Sequence, residues 1–248
     1  MKQMRACVII IGNEILSGRT QDTNLQWLAR SLGELGIALV RAHIIRDDAN
    51  EVVATINHAR SHYDYVFTTG GIGPTHDDIT TACVAQAFNV PVVRDAEAQR
   101  RLHAYYPPEK RNDARMKMAD IPQGATLIDN PVSAAPGFHI DNVFVMAGVP
   151  TIMQAMFFDI KARLRHAPPM HTRTIHTLTP EGDLAAVLCA VQTAYPQIEL
   201  GCYPHMRGGK FSTSLVMRGM EAADVDEVAL QIQERLRPLG VNFTEAEL

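Results

Sequence analysis

Residues 65–78 read YVFTTGGIGPTHDD, and this stretch decides the fold that the sequence predicts. It begins with the strand-forming run Tyr65–Thr69 and passes at once into the glycine-rich run Gly70–Gly73. β-Branched and aromatic residues favour a strand, and glycines at its end let the main chain turn sharply and approach a ligand. A helix carrying Ile79 and Cys83 is expected next. The stretch therefore predicts a strand–loop–helix unit.

The same rhythm occurs on the N-terminal side of this stretch. Ala6–Ile11 is a continuous apolar run, typical of a strand buried on both faces. We expect a helix from about Thr23, a strand at Ile37–Ile45 and a helix at Asn50–Ser61. Strands separated by helices of this length predict right-handed βαβ units and a parallel sheet.

On the C-terminal side, the predicted elements extend the same domain. Helices are expected near Asp95–Tyr105 and Asn112–Ala119, a hairpin within 137–147 and a closing helix at Thr151–Leu164. The hairpin prediction rests on two short apolar runs that flank Asp141-Asn142.

A second domain is predicted after His166–Pro169, a proline-containing linker. We place the first domain at residues 1–167 and the second at 170–248, where a β-α-β-β-α order predicts a small α+β unit. Within it, Arg207–Lys210 could be a phosphate-gripping GxxG loop. Since two predicted strands flank it, a hairpin turn is the better interpretation.

Composition limits the classes of partner. The net charge is −4, which disfavours nucleic acid, since proteins that neutralise many phosphates carry a basic face. No apolar stretch approaches membrane-spanning length. The cysteines, Cys7, Cys83, Cys189 and Cys202, show no zinc-ligand spacing and are interpreted as buried thiols. We expect a cytoplasmic homo-oligomer with a small phosphorylated ligand as partner.

The glycine run predicts an anion site. Its N–H groups and the start of the following helix form a concavity suited to phosphate. We expect the main chain of Gly71 to contact ligand phosphate, so that a side chain there would block binding. Asp77 and Asp78 are placed at the helix start, where they would cap the helix or bind a divalent cation that accompanies the phosphate. The loop lacks the lysine of a Walker A motif.

Other polar residues follow the remaining strands. Gly12, Asn13 and Glu14 follow the first strand, Asp47-Asp48 the second, and Gly148–Pro150 the late strand. Loops at the carboxyl ends of strands in an open α/β sheet share one edge, and ligands bind there. Their joint position at one edge predicts a single site.

These motifs resemble the N-terminal domain of the CinA (competence/damage-inducible protein A) family. The resemblance covers most of residues 1–165. It is carried by runs 12–18, 22–24, 47–48 and 69–78, by Thr80 and Asn130, and by runs 135–138 and 148–150. It implies a three-layer α/β/α fold with a mostly parallel sheet, shared with molybdopterin adenylyltransferases. The second domain also resembles that family's, and we expect the terminal amidase domain to be absent.

The resemblance implies either metal-dependent hydrolysis of a nucleotide pyrophosphate such as ADP-ribose, or molybdopterin binding. Its implied catalytic residues are Glu14, Asp48 and Asp78, with Asp48 and Asp78 as ligands of a divalent metal. The implied ligand-binding residues are Gly12, Asn13, Asp22, Asn24, Thr69, Gly70, Gly71, Gly73, Pro74, Thr75, Ser133, Gly148 and Pro150.

Two positions depart from the family pattern. Ile152 stands where the family often has a glutamate, and Met118 stands where a glutamine is common. Three hypotheses therefore remain: pyrophosphate hydrolysis, with Glu14 positioning a water; adenylation of molybdopterin; and ligand binding without turnover.

Overall fold

A computed structural model describes residues 3–207 and 210–246 of the chain. The chain divides into two compact units, with the boundary between Ala167 and Pro168. The predicted turn at Arg207–Lys210 falls on Gly208 and Gly209, which lie outside the described residues.

The first unit is built on a six-stranded sheet. Its strands are β1 (Met4–Ile11), β2 (Ile37–Ile45), β3 (Tyr65–Thr69), β6 (Thr126–Ile128), β7 (Gly137–Ile140) and β8 (Val143–Met146), and β4 (Val92–Arg94) pairs separately with β5 (Asp120–Pro122). The strand order is β2-β1-β3-β8-β7-β6. Neighbours are parallel from β2 to β8 and antiparallel from β8 to β6. The mostly parallel sheet is confirmed.

Seven α-helices belong to the described part of this unit. They are α1 (Asn13–Leu16), α2 (Asn24–Glu34), α3 (Ala49–His62), α4 (Thr80–Phe88), α5 (Ala96–Tyr105), α6 (Asp113–Lys117) and α7 (Pro150–Lys161). The helix that follows the glycine run thus begins at Thr80. Asp77 and Asp78 lie in the loop before its first residue, so the prediction that they sit at the helix start is wrong.

Alternation along β1 explains the three layers. Val8 and Ile10 are buried in the cluster that includes residues of α2 and α7. Cys7 and Ile9 are buried in the cluster that includes residues of α3 and α4. Successive side chains of a strand point to opposite faces, so an all-apolar strand requires cover on both sides. The α/β/α layering follows.

The second unit has its own core. Its strands are β9 (His171–Thr177), β10 (Glu199–Arg207), β11 (Lys210–Gly219) and β12 (Phe243–Ala246), and its helices are α8 (Glu181–Ala194) and α9 (Ala222–Leu236). The sheet is antiparallel in the order β10-β11-β9-β12. Ile175, Leu215 and Met217 pack against the two helices. The strand β12 was not predicted.

Two further sequence expectations can be compared with the structure. Cys7 and Cys83 are buried, whereas Cys189 is exposed, so the prediction of four buried thiols is wrong for Cys189. Among the described residues, the helices are too short or too polar for any of them to cross a membrane.

Candidate ligand-binding cleft

A cleft of about 550 Å³ lies at the carboxyl edge of the first sheet. It is formed by the loops that follow β1, β2, β3 and β8, together with the segment between β6 and β7. The predicted residues that line it are Gly12, Glu14, Gly70, Gly71, Gly73, Pro74, Asp78, Ser133, Gly148 and Pro150. Parallel strands bring their carboxyl ends to one edge, which explains why residues so distant in sequence meet here.

The glycine run is shaped by contacts with the protein itself. Gly70 and Gly71 both have positive φ, 101° and 70°. A Cβ on Gly70 would lie 2.1 Å from the carbonyl oxygen of Ile11, and one on Gly71 would lie 2.2 Å from Oγ1 of Thr80. That hydroxyl is buried and donates to the carbonyl oxygen of Gly70 at 2.9 Å. A side chain at Gly71 would therefore strain the fold before it blocked a ligand, contrary to the sequence expectation.

Asp78 closes the other end of this loop. Its Oδ2 accepts hydrogen bonds from the N–H of Thr75 at 2.8 Å and from the Thr75 hydroxyl at 2.5 Å. Lys117, from α6, donates to the carbonyl oxygens of Thr75 and Asp78 at 3.0 and 2.9 Å. Thr75, predicted to bind ligand, instead holds Asp78. Sequence reasoning did not find the role of Lys117.

The turn that follows β1 places the carboxylate of Glu14 at the cleft. Glu14 lies in the short helix α1, and the N–H groups of Arg19 and Thr20 donate to its carbonyl oxygen. A Cβ on Gly12 would lie 2.5 Å from Oε1 of Glu14. The missing side chain of Gly12 therefore leaves room for the carboxylate beside the cleft.

Asp47 and Asp48 have different contacts in the structure, although the sequence predicted the metal ligand to be Asp48. Asp47 lines the cleft, and its Oδ2 accepts a hydrogen bond from the N–H of Asn13 at 2.9 Å. Asp48 does not line it. Its Oδ1 accepts from the N–H of Glu51 at 3.0 Å and caps α3. The structure therefore does not place Asp48 in the wall of the cleft, where it was expected as a catalytic metal ligand. Asn13, which was predicted to bind ligand, contacts Asp47 through its main-chain N–H.

Asn130 organises the segment between β6 and β7. It is buried, and its Nδ2 donates to Oγ of Ser133 and to the carbonyl oxygen of Ala135, both at 2.7 Å. Its Oδ1 accepts from the N–H groups of Val132 and Ser133. Asn130 and Ser133 both line the cleft, so one buried amide positions this wall.

Three predicted residues line a smaller cavity of about 60 Å³, which shares Glu14 and Gly148 with the cleft: Asp22, Asn24 and Thr69. Nδ2 of Asn24 donates to the carbonyl oxygen of Gly148 at 2.8 Å, and Oδ1 of Asp22 accepts from the N–H of Leu25. These two residues fix the start of α2 and the loop after β8.

The cleft is acidic. Four carboxylates line it, from Glu14, Asp47, Asp77 and Asp78, and no lysine, arginine or histidine is among its described lining residues. Carboxylates alone would repel a phosphate.

The carboxylates are not gathered into a ready metal cage. Within the described residues, no group of three or more His, Cys, Asp or Glu side chains could hold a metal ion. A hard cation held by one or two carboxylates and by ligand phosphates does not need such a cage. Asp47, Asp77 and Asp78 are the donors in the cleft that fit this arrangement.

The fold and the cleft define an α/β protein with a ligand site at the carboxyl edge of a mostly parallel sheet. A family model described as a probable molybdopterin binding domain matches residues 7–166, and one described as the FAD synthase middle domain matches residues 169–245. The chain therefore belongs to the probable molybdopterin binding domain family.

Known relatives agree with this membership. The crystal structure of the protein CinA from Thermoplasma acidophilum is 32% identical, with a TM-score of 0.61 over 64% of this chain and 97% of that one. A protein of Archaeoglobus fulgidus is 34% identical over 81% of this chain and 86% of its own length. A probable FAD synthase of Caenorhabditis briggsae is 28% identical over 93% of this chain, which spans about half (49%) of that relative. The resemblance to CinA is confirmed.

Proposed function

We propose that the cleft binds a nucleotide pyrophosphate such as ADP-ribose and hydrolyses it with the help of a divalent cation. The observation that carries the proposal is the pairing, in one cleft, of a glycine main-chain wall with four carboxylates, while no lysine, arginine or histidine is found among the described residues that line it. The glycines suit the close approach of phosphates. The carboxylates suit a cation that arrives with those phosphates.

Each part of the cleft has a role in this reaction. Main-chain N–H groups of the run 71–73 bind the phosphates, since the N–H of Gly70 already donates to the carbonyl oxygen of Met146. Asp78 and Asp47 would hold the cation, which would supply Lewis-acid polarisation of the phosphoryl oxygens. Glu14 positions a water and accepts its proton. The water oxygen bonds to phosphorus while the bridging phosphorus–oxygen bond breaks, and ADP-ribose yields AMP and ribose 5-phosphate.

Ligand binding without turnover is a second candidate, favoured by one observation. Ile152 lines the cleft near the N-terminus of α7. An apolar side chain there leaves one donor fewer for a cation than a glutamate would supply.

One substrate panel separates these candidates. The chain is incubated with ADP-ribose, with and without Mg²⁺ or Mn²⁺, and then with a chelator. Metal-dependent release of AMP supports hydrolysis, and the chelator should stop it while leaving the melting temperature of the ligand-free protein unchanged. Saturable binding without AMP supports the binding role. Turnover only with molybdopterin and ATP would replace both with adenylation.

A further inference from the structure

The second unit carries a pocket that the cleft chemistry does not use. It has a volume of about 360 Å³ and is lined by His176, Thr177, Leu178, His205, Ser212, Asn242, Phe243 and Thr244. All of these residues lie in the second unit. Its size falls in the range of small-ligand pockets.

The register of the sheet explains why two imidazoles meet there. His176 on β9 pairs with Ser214 on β11, and His205 on β10 pairs with Ser212 on β11. Residues 212 and 214 share one face of their strand, whereas Leu215 and Met217 lie in the core with α8 and α9. The two residues that pair with the histidines are therefore small serines on the same face of the sheet. The ring centroids are 6.3 Å apart and nearly perpendicular, at 83°.

The hydrogen bonds of the two rings leave one nitrogen of each unused. Nδ1 of His205 lies 3.1 Å from the carbonyl oxygen of Tyr203 and therefore donates to it. In the neutral ring this leaves Nε2 as an acceptor. Nδ1 of His176 lies 2.9 Å from Oγ of Ser214. Because a hydroxyl donates or accepts, Nε2 of His176 is an acceptor when the ring donates to the serine and a donor when the ring accepts from it. Neither Nε2 atom has a hydrogen-bond partner in the part of the chain that the structure describes.

The rest of the wall is mixed. Leu178 is 66% exposed and forms the apolar part, while Asn242 and Thr244 add polar groups at the rim. Phe243 pairs with the buried Thr177 and packs against the core of the second unit. A few placed polar groups against an apolar wall are typical of sites for flat organic ligands.

We infer that this pocket binds a planar nitrogen heterocycle, such as a nucleobase or a flavin-type ring, which donates an N–H to Nε2 of His205 and forms a second hydrogen bond with Nε2 of His176. The ring face packs on Leu178. Carbonyl or hydroxyl groups of the ligand interact with Asn242 and Thr244. No phosphate is required, which distinguishes this site from the cleft of the first unit.

The test uses the full chain and phosphate-free probes: adenosine, guanosine and riboflavin, each titrated by calorimetry at neutral pH. At least one should bind with a Kd below about 1 mM. His176→Phe and His205→Phe keep a flat ring but remove the ring nitrogens, and each should weaken binding about tenfold or more. His205→Gln places a carbonyl oxygen near the lost nitrogen and should retain more affinity than His205→Phe. His171→Phe, an exposed position on the same strand as His176 and outside this pocket, is the matched control and should bind as wild type.

Three results would overturn the inference. The first is that no probe binds at millimolar concentration. The second is that wild type and both phenylalanine variants bind a probe with equal affinity. The third is that Zn²⁺ binds in a way that depends on both histidines while no heterocycle binds. Circular dichroism and melting curves of every variant establish that the fold is kept. If a phenylalanine variant does not fold, His176→Gln and His205→Gln carry the comparison with His171→Phe.

Discussion

The ammonium group of Lys117 holds the main chain of Asp78, since its Nζ donates to the Asp78 carbonyl oxygen at 2.9 Å and to that of Thr75 at 3.0 Å. Lys117 thus stabilises the loop at residues 75–78 with a charged donor, although Lys117 itself does not line the cleft. Hydrogen bonds to charged groups contribute about 1.5–3 kcal/mol each, although exposure reduces this here.

Lys117→Met should therefore weaken ADP-ribose binding about tenfold, which corresponds to roughly 1.4 kcal/mol, because the loop loses its brace. Calorimetric titration measures the affinity. Lys110 is an exposed lysine in the same connection between β4 and β5. Lys110→Met is therefore the control and should bind ADP-ribose as the wild type does. Equal affinity of Lys117→Met and wild type would show that the loop holds its shape unaided.

Asp78 and Asp48 should respond differently to the same isosteric change. Asp78→Asn keeps an acceptor for Thr75 but removes a charge from the cleft, so hydrolysis should fall on the order of a hundredfold. Asp48→Asn should leave both activity and stability near wild type, since asparagine is an equally good N-cap. Asp48→Ala should lose about 1 kcal/mol of stability through the missing cap. AMP release at saturating Mg²⁺ and melting curves measure these effects. A large activity loss in Asp48→Asn would return that residue to the cation site.

Gly71→Ala should destabilise the protein by about 1–3 kcal/mol, because a side chain at positive φ is strained and its Cβ meets the buried Thr80 hydroxyl. Gly33→Ala is the matched control. Gly33 lies in α2 with open space around its added Cβ, so this change should raise stability by about 0.5–1 kcal/mol. Urea unfolding of both variants gives the comparison. A Gly71→Ala protein as stable as wild type would mean that the loop relaxes freely.

Asn130→Ala should lower stability by about 2–3 kcal/mol, since four loop hydrogen bonds converge on this one buried amide and its removal leaves buried partners unpaired. Ligand affinity should fall with it, because Ser133 is no longer held. Asn13→Ala removes an exposed side chain and should change stability by less than about 0.5 kcal/mol. Chemical denaturation separates the two variants, and equal unfolding midpoints would contradict the role of Asn130.

The cysteines should label in two groups. Burial raises the pKa of Cys7 to about 11 and also raises that of Cys83, so both stay protonated and inaccessible at pH 8. Cys189 is exposed and should react quickly with a disulfide reagent in the folded protein. Mass spectrometry of labelled peptides identifies the sites. Rapid labelling of Cys7 in folded protein would show that β1 opens readily.

Long apolar strands and their following helices were predictable because their patterns are strong. Ile37–Ile45 and Tyr65–Thr69 match the predicted bounds. The missed strands β4, β5 and β6 have three residues each, too few to show any period. Proline at position 122 further weakens the signal for β5.

At the cleft, the sequence predicted the loops but not the direction of every side chain. Asp47 and Asp48 are chemically identical neighbours, and only the start of α3 decides which one caps and which one faces the cleft. The role of Lys117 depends on a contact across 42 residues. No local pattern encodes such a contact, so only the folded structure reveals it.

The position of β8 beside β3 sets when the cleft comes into existence during synthesis. The strands are parallel neighbours, but the whole connection through α4, α5, α6 and the β6–β7 segment is made between them. Until β8 has been synthesised, one side of β3 lacks its neighbouring strand. The wall of the cleft formed by Gly148–Pro150 is also missing at that stage. Such long-range pairing is slow and leaves apolar strand surface open in the meantime. Ligand therefore cannot stabilise a nascent chain through this cleft until β8 and the loop that follows it have been made.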